Sequence, residues 1–217
     1  MKTISILGCG WVGKALQASL PHDVHCLSRD SSANTEAGMY DCDVLVIVIP
    51  PRDNYLEVLA ETLSLVSAQT QVILLSSISF YDGKALVVEA ETLLQKLDED
   101  VVVLRLGGLM GYDRIAGKYT AGKVLTSDSR TNYVHRDDVV GIIESIIKKD
   151  IRGEFFDVVA PLQSTKKVIF ATNAGKFGFK ETEFLGGDVV GKELSPTKLY
   201  EHLGYVFKKP DVLEFWA

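Results

Sequence analysis

The stretch that most constrains this chain is residues 3–20, "TISILGCGWVGKALQASL". A short, β-rich apolar run stops at three closely spaced glycines. Val12, Ala15, Leu16 and Leu20 then recur at helical spacing. Gly8, Gly10 and Gly13 satisfy G-x-G-x-x-G, and they stand where that pattern carries meaning, after a strand and opening a helix. The first glycine permits a tight turn, the second lets a diphosphate approach the backbone, and the third lets helix and strand pack closely. A helix that starts there offers the anion its unpaired amides and a partial positive charge. The rival reading is the P-loop G-x-x-x-x-G-K-[ST], which the chain fits from Gly8 to Lys14 and then fails at Ala15. A P-loop needs a hydroxyl at that position to hold magnesium. The dinucleotide reading is therefore preferred, with Trp11 and Val12 at the turn.

The second strand bears on which dinucleotide. It reads "HCLSRD", with Ser28 and Arg29 at the distance from the glycines where the adenosine ribose is recognised. Ser28 can hydrogen-bond a 2′-phosphate and Arg29 can neutralise it with a forked contact. That points to NADP. NAD stays open, because Asp30 becomes the ribose acid if the strand runs one or two residues further. Pro50, at the end of the strand "DVLVIVIPP", and Ser76 complete the expected cofactor contacts.

Beyond the turn, strand and helix alternate through two thirds of the chain. Residues 44–49 are apolar at every position, as a parallel strand buried on both faces requires. Helical stripes at residues 55–68 and around 87–97 alternate with the strands "QVILLSS" and "VVVLRL". The helix "DDVVGIIESIIKK" and the strand "EFFDVVA" follow. The pattern predicts a Rossmann-like α/β fold, a doubly wound parallel sheet with helices on both faces. Thirteen residues separate Arg29 from Asp43, so the sheet is expected to be abbreviated around residues 30–43. After about Lys166 the chain is richer in Gly, Lys and aromatics, which reads as a small α+β cap. The expected division is a dinucleotide-binding domain over 1–150, with the last sheet strand and cap over 151–217.

Charge and cysteine content narrow the partners. A net charge of −6 argues against nucleic acid, whose phosphates call for clustered Lys and Arg. No apolar run reaches the roughly 18–20 residues needed to span a bilayer, so no membrane partner is expected. Three scattered cysteines, Cys9, Cys26 and Cys42, suggest neither a disulfide framework nor a zinc site. His22, His25 and Cys26 lie close together but lack a second ligand pair, so no metal is expected. A reducing, cytoplasmic location is the default, with a small molecule as substrate.

Four stretches, taken in order, resemble the extended short-chain dehydrogenase/reductase superfamily, also called the NAD-dependent epimerase/dehydratase family. They are "ILGCGWVGKAL", "VILLSSISFYDG", "VLRLGGLMGYDR" and "NYVHRDDVVGII". "SPTKLYEHLGYVFKKP" is similar to the family's closing helix and turn. By that resemblance Ser77 matches the catalytic serine that polarises the substrate carbonyl. The family's base, a Tyr followed four residues later by a Lys that lowers the phenol's pKa, is missing. Aligning "EAETLL" puts Gly83 and Val87 at those positions. The same spacing in Tyr119/Lys123 and Tyr205/Lys209 falls outside the relevant helix. Tyr81, with Lys84 nearby, is the candidate substitute, and its other reading is a packing or substrate-wall residue. His135 and Asp138 either face a substrate cleft or serve the following helix, with Asp137 or Asp138 as its cap. Arg105, ending a buried strand, reads as a paired structural cation. The resemblance implies an oxidoreductase or epimerase-like enzyme acting on a small carbonyl, alcohol or sugar-type substrate. The missing pair keeps open a non-catalytic dinucleotide sensor.

Overall fold

Strands apolar at every position must be covered on both faces, and the sheet meets that demand. The computed structural model describes residues 1–27 and 37–216. Six strands line up in the order β2-β1-β3-β4-β5-β9. They are β1 (Thr3–Leu7), β2 (Asp23–Leu27), β3 (Val44–Ile47), β4 (Gln71–Ser77), β5 (Val102–Leu106) and β9 (Phe155–Val158). β1 to β5 pair in parallel, with β1 flanked by β2 on one side and β3 on the other. The expected Rossmann-like fold is present. The chain reverses its direction of travel across the sheet at β1, and ligands of open α/β sheets bind outside the strand ends at such a point. Of the abbreviated region expected around residues 30–43, the part from residue 37 is described, and Ala37–Tyr40 forms one 3-10 turn.

The chain divides into two compact units: Met1–Leu106 with Val140–Phe156, and Gly107–Val139 with Asp157–Ala217. The single boundary expected after residue 150 is thus replaced by a discontinuous division. Residues 107–139 belong with the C-terminal segment because Val124–Leu125 pairs with Glu183–Phe184, and Asp128 and Asp138 accept hydrogen bonds from Lys167, Tyr205, Lys208 and Lys209.

In the first unit, alternation along the strands sorts the core into two layers. Leu7, Leu27, Leu45, Ile47, Leu74 and Val103 share a cluster with Tyr55 and Leu59 of α2 (Tyr55–Leu65) and Ala90 and Leu94 of α3 (Ala85–Leu97). The intervening residues, among them Ile4, Ile6, Val46, Ile73 and Leu104, are equally buried and point the other way. On that side α1 (Trp11–Ser19) packs, with Gly13 against a methyl of Ile6. Gln71, on the same side, donates to the carbonyls of Ile146 and Ile151 at 3.3 and 2.7 Å. Ile146 lies on α4 (Arg136–Lys149).

The second unit is built from small pieces. β6 (Gly108–Met110) pairs with β8 (Tyr133–His135), and β7 (Val124–Leu125) with β10 (Glu183–Phe184). Ile169 and Phe170 of α5 (Lys166–Phe177) form a core with Ala116, Ala160, Val212 and Phe215. The helix expected in "SPTKLYEHLG" is α6 (Thr197–Leu203), ended by Gly204 at φ 57°. Asp138, fully buried in the first turn of α4, accepts hydrogen bonds from the Tyr205 hydroxyl (3.0 Å) and the amides of Lys208 (2.6 Å) and Lys209 (3.1 Å).

Replacing Asp138 by Ala strands all three donors in a dry site. Each lost acceptor costs about 1–3 kcal/mol, so urea unfolding of Asp138→Ala is expected to show a loss of about 3 kcal/mol or more. An unchanged midpoint would mean that the carboxylate holds nothing together.

Candidate dinucleotide and catalytic site

The glycine turn begins where β1 leaves the sheet. Gly8 has φ 114°, in the region that L side chains avoid, and its amide donates to Leu27 O at 2.9 Å. A Cβ there would lie 2.9 Å from the carbonyl carbon of Val48, just past β3. A Cβ on Gly13 would lie 2.1 Å from the Gly8 carbonyl oxygen. Both glycines are therefore dictated by the fold, Gly8 by the neighbouring strand's exit and Gly13 by the start of α1.

Gly10 is different. It is the N-cap of α1 at φ −80°, where any residue fits, and among the described residues a Cβ there would meet nothing within 4 Å. Its exposed surface lies at the head of a helix with no side-chain cap and no acidic residue in its first turn. The first amides of a helix have no intrahelical partner and favour an anion. Of the other expected contacts, Trp11 and Val12 open α1 and Val12 is buried, while Pro50 is exposed beyond the end of β3. Ser28 and Arg29 lie outside the described residues.

Ser76 and Ser77 end β4. The Ser77 oxygen accepts from the Ser79 amide at 3.2 Å and the Ser79 hydroxyl at 3.0 Å, which leaves its own proton to donate. The Ser76 hydroxyl donates to Glu91 at 2.5 Å. Glu91, buried on α3, also takes the guanidinium of Arg105 at 2.8 Å, so Arg105 is a paired cation as expected. The Arg105 guanidinium lies 3.7 Å over the Phe80 ring and donates to the Tyr81 hydroxyl at 3.1 Å. Tyr81 is thus held by its ring neighbour and its oxygen while remaining 37% exposed.

Glu91 was missed in the sequence, although a signal existed. Val87, Glu91 and Leu94 fall on one helical stripe, which puts a carboxylate into an apolar face and demands a buried partner. The positions that align with the family's Tyr and Lys hold Gly83, at φ 68° ending the turn Ile78–Asp82, and the buried Val87. Neither side chain can move a proton.

The remaining candidates have structural duties. His135 is 3% exposed, its Nδ1 accepts from the Asp137 amide at 3.2 Å, and burial pushes its imidazole below the ordinary range. Tyr205 is committed to Asp138, and Lys209 reaches the Glu214 carbonyl at 3.5 Å. In the second unit, Leu109, Met110, Ile115, Tyr133 and Phe170 line a cavity of about 410 Å³, with Arg114 adding a charge. One sequence expectation is overturned. Cys9 and Cys26 are joined in a disulfide, with Cα atoms 5.7 Å apart. Parallel pairing sets Cys26 beside Ile6, and the turn carries Cys9 back over the end of β2, a proximity that a separation of 17 residues conceals. Among the described residues no group of three His, Cys, Asp or Glu sits together as a metal site, and no helix is long and apolar enough to cross a membrane.

No family model matches this chain. Protein YeeZ of Escherichia coli K12 is 24% identical over 269 residues, with 98% of both chains covered. A functionally unknown conserved protein from Silicibacter pomeroyi DSS superposes with a TM-score of 0.80 at 15% identity, covering 99% of this chain and 96% of that one. Human epimerase family protein SDR39U1 (isoform 2), solved with NADPH, gives 0.77 at 16% identity, covering 98% and 97%. The resemblance to short-chain dehydrogenase/reductase and epimerase proteins thus holds for the fold along nearly the whole chain.

The glycine geometry makes an asymmetric prediction. Gly13→Ala forces the helix off its strand and is expected to cost about 1–3 kcal/mol of stability. Gly10→Ala should cost no more than about 1 kcal/mol, the usual scale of an N-cap change. Thermal unfolding of the two variants side by side reads the difference, and equal losses would contradict the geometry.

Proposed function

We propose that this chain binds NADP(H) and acts as an oxidoreductase or epimerase-like enzyme on a small carbonyl, alcohol or sugar-type substrate. One observation carries the reading: among the described residues nothing requires Gly10 to be a glycine. Its backbone angles suit any residue and no described residue fills the space beside it. A side chain there is unwelcome only if something from outside comes close to the backbone, and the uncapped start of α1 suits an anionic diphosphate. Solved structures of like fold hold NADPH in the human epimerase family protein and NAD in a short-chain dehydrogenase/reductase superfamily protein from Agrobacterium tumefaciens, which supports a dinucleotide at this place.

In this reading the amides around Gly10, Trp11 and Val12 hold the diphosphate, and Pro50 and Ser76 border the cofactor. Ser28 and Arg29 select the 2′-phosphate over a free hydroxyl. The nicotinamide, when bound, supplies or accepts hydride. Ser77 donates its proton to the substrate oxygen and orients it. Tyr81, its oxygen fixed by Arg105, or a water, serves as the acid. A cavity of about 410 Å³ within the second unit is of the size small molecules occupy. The protein is assigned to the cytoplasm, with neither nucleic acid nor membrane as partner. A second reading, a dinucleotide sensor without turnover, is favoured by Gly83 and Val87 where the proton-transferring pair belongs.

Titration with NADPH and NADH tests the binding. Gly10→Ala is expected to weaken both by at least about tenfold, while Arg29→Ala weakens NADPH and spares NADH. Equal effects of Arg29→Ala on the two would rule out the 2′-phosphate contact. Oxidation of NADPH by any member of a panel of aldehydes, ketones and nucleotide sugars separates enzyme from sensor.

A further inference from the structure

The Cys9–Cys26 link lies in the proposed cofactor site. Cys9 stands between Gly8, which builds the bend, and Gly10, which a diphosphate would approach, and Cys26 is the penultimate residue of β2. Leu27, next in sequence, accepts the Gly8 amide at 2.9 Å. The two residues after it, Ser28 and Arg29, are the proposed readers of the adenosine ribose. The disulfide therefore ties the loop that would receive the diphosphate to the end of β2, the strand that leads in sequence to those two residues. Both cysteines are partly exposed, so a small thiol or disulfide can reach them. The third cysteine, Cys42, has its thiol pushed up by burial, which leaves less of it as the reactive thiolate.

We propose that Cys9 and Cys26 form a reversible redox modification site whose state sets the affinity for the dinucleotide, the disulfide form binding more tightly. This rests on the cofactor reading above. The oxidant is a small-molecule disulfide of the glutathione class. One cysteine thiolate attacks it, releasing one small thiol and leaving a mixed disulfide. The second cysteine thiolate then attacks that bond, releasing the other thiol. Two protein thiols lose two electrons and two protons, and one small disulfide becomes two thiols. In a reducing compartment such a bond is transient and carries information about redox state. In the linked state the Cys9 side chain is turned toward β2 and no described residue beyond its chain neighbours lies within 4 Å of where a Cβ on Gly10 would stand. The loop that would receive the diphosphate is then held against the end of β2 before the ligand arrives, so less freedom is lost on binding.

The full-length protein is equilibrated with oxidised glutathione or with dithiothreitol, and mass spectrometry after thiol alkylation counts the free cysteines in each sample. Calorimetry then gives Kd for NADP⁺, chosen because it cannot serve as a reductant. The disulfide form is expected to bind about tenfold more tightly. Cys9→Ser and Cys26→Ser should bind equally in both conditions, and Cys42→Ser should keep the difference. Because coupling is reciprocal, saturating NADP⁺ should protect the disulfide from dithiothreitol by the same factor. Equal Kd values in samples whose thiol counts differ would overturn the proposal and leave the cofactor reading standing, as would three free thiols under oxidising conditions. Failure of NADP⁺ and NAD⁺ to bind either form would overturn both.

Discussion

The first helix can begin only if its third residue carries no side chain. The Gly8 carbonyl oxygen occupies the place where a Cβ on Gly13 would stand. From that contact follow the close seating of α1 on β1, the turn whose Gly8 bends under the exit of β3, and the exposed head of the helix. Pairing of β1 with β2 on one side and β3 on the other puts this turn where the sheet's winding reverses. Two glycines are spent on building the bend. The third faces outward, and the functional assignment rests on it.

Polar groups below the surface are handled in two ways. Around α3, Glu91 gathers the Ser76 hydroxyl and the Arg105 guanidinium, and Phe80 covers the cation's flat face. At the start of α4, Asp138 is satisfied by a phenol and two amides, and among the described residues it forms no salt bridge. The first fixes two successive strands against the helix between them, and the second fixes segments about seventy residues apart. Removing one member of either leaves the others unpaired, which is why such clusters specify an arrangement more than they add to net stability.

The fold was legible because period and punctuation agreed. The all-apolar run that includes Val44–Ile47 demanded burial on both faces, and the glycine turn fixed the strand–helix order. The paired role of Arg105 was legible too, from a charge closing a buried strand. The division into units was not, since β6 and β8 are three residues each and their pairing is decided by tertiary contacts. Glu91 announced itself only as a misfit on an apolar stripe. The Cys9–Cys26 approach depends on strand register, which local sequence does not encode when two strands are joined through a helix.

Asp138 also bears on biosynthesis. Its hydrogen-bond donors at Tyr205, Lys208 and Lys209 are translated about seventy residues after it. While the ribosome works through that interval the carboxylate must remain hydrated, so the packing that buries it belongs to the last stage of maturation. The β1–β5 ladder is under no such delay, because all its strands have been made by Leu106. A nascent chain would hold an early-formed sheet and a late-closing partner unit, and the interval between them is when chaperones have most to guard.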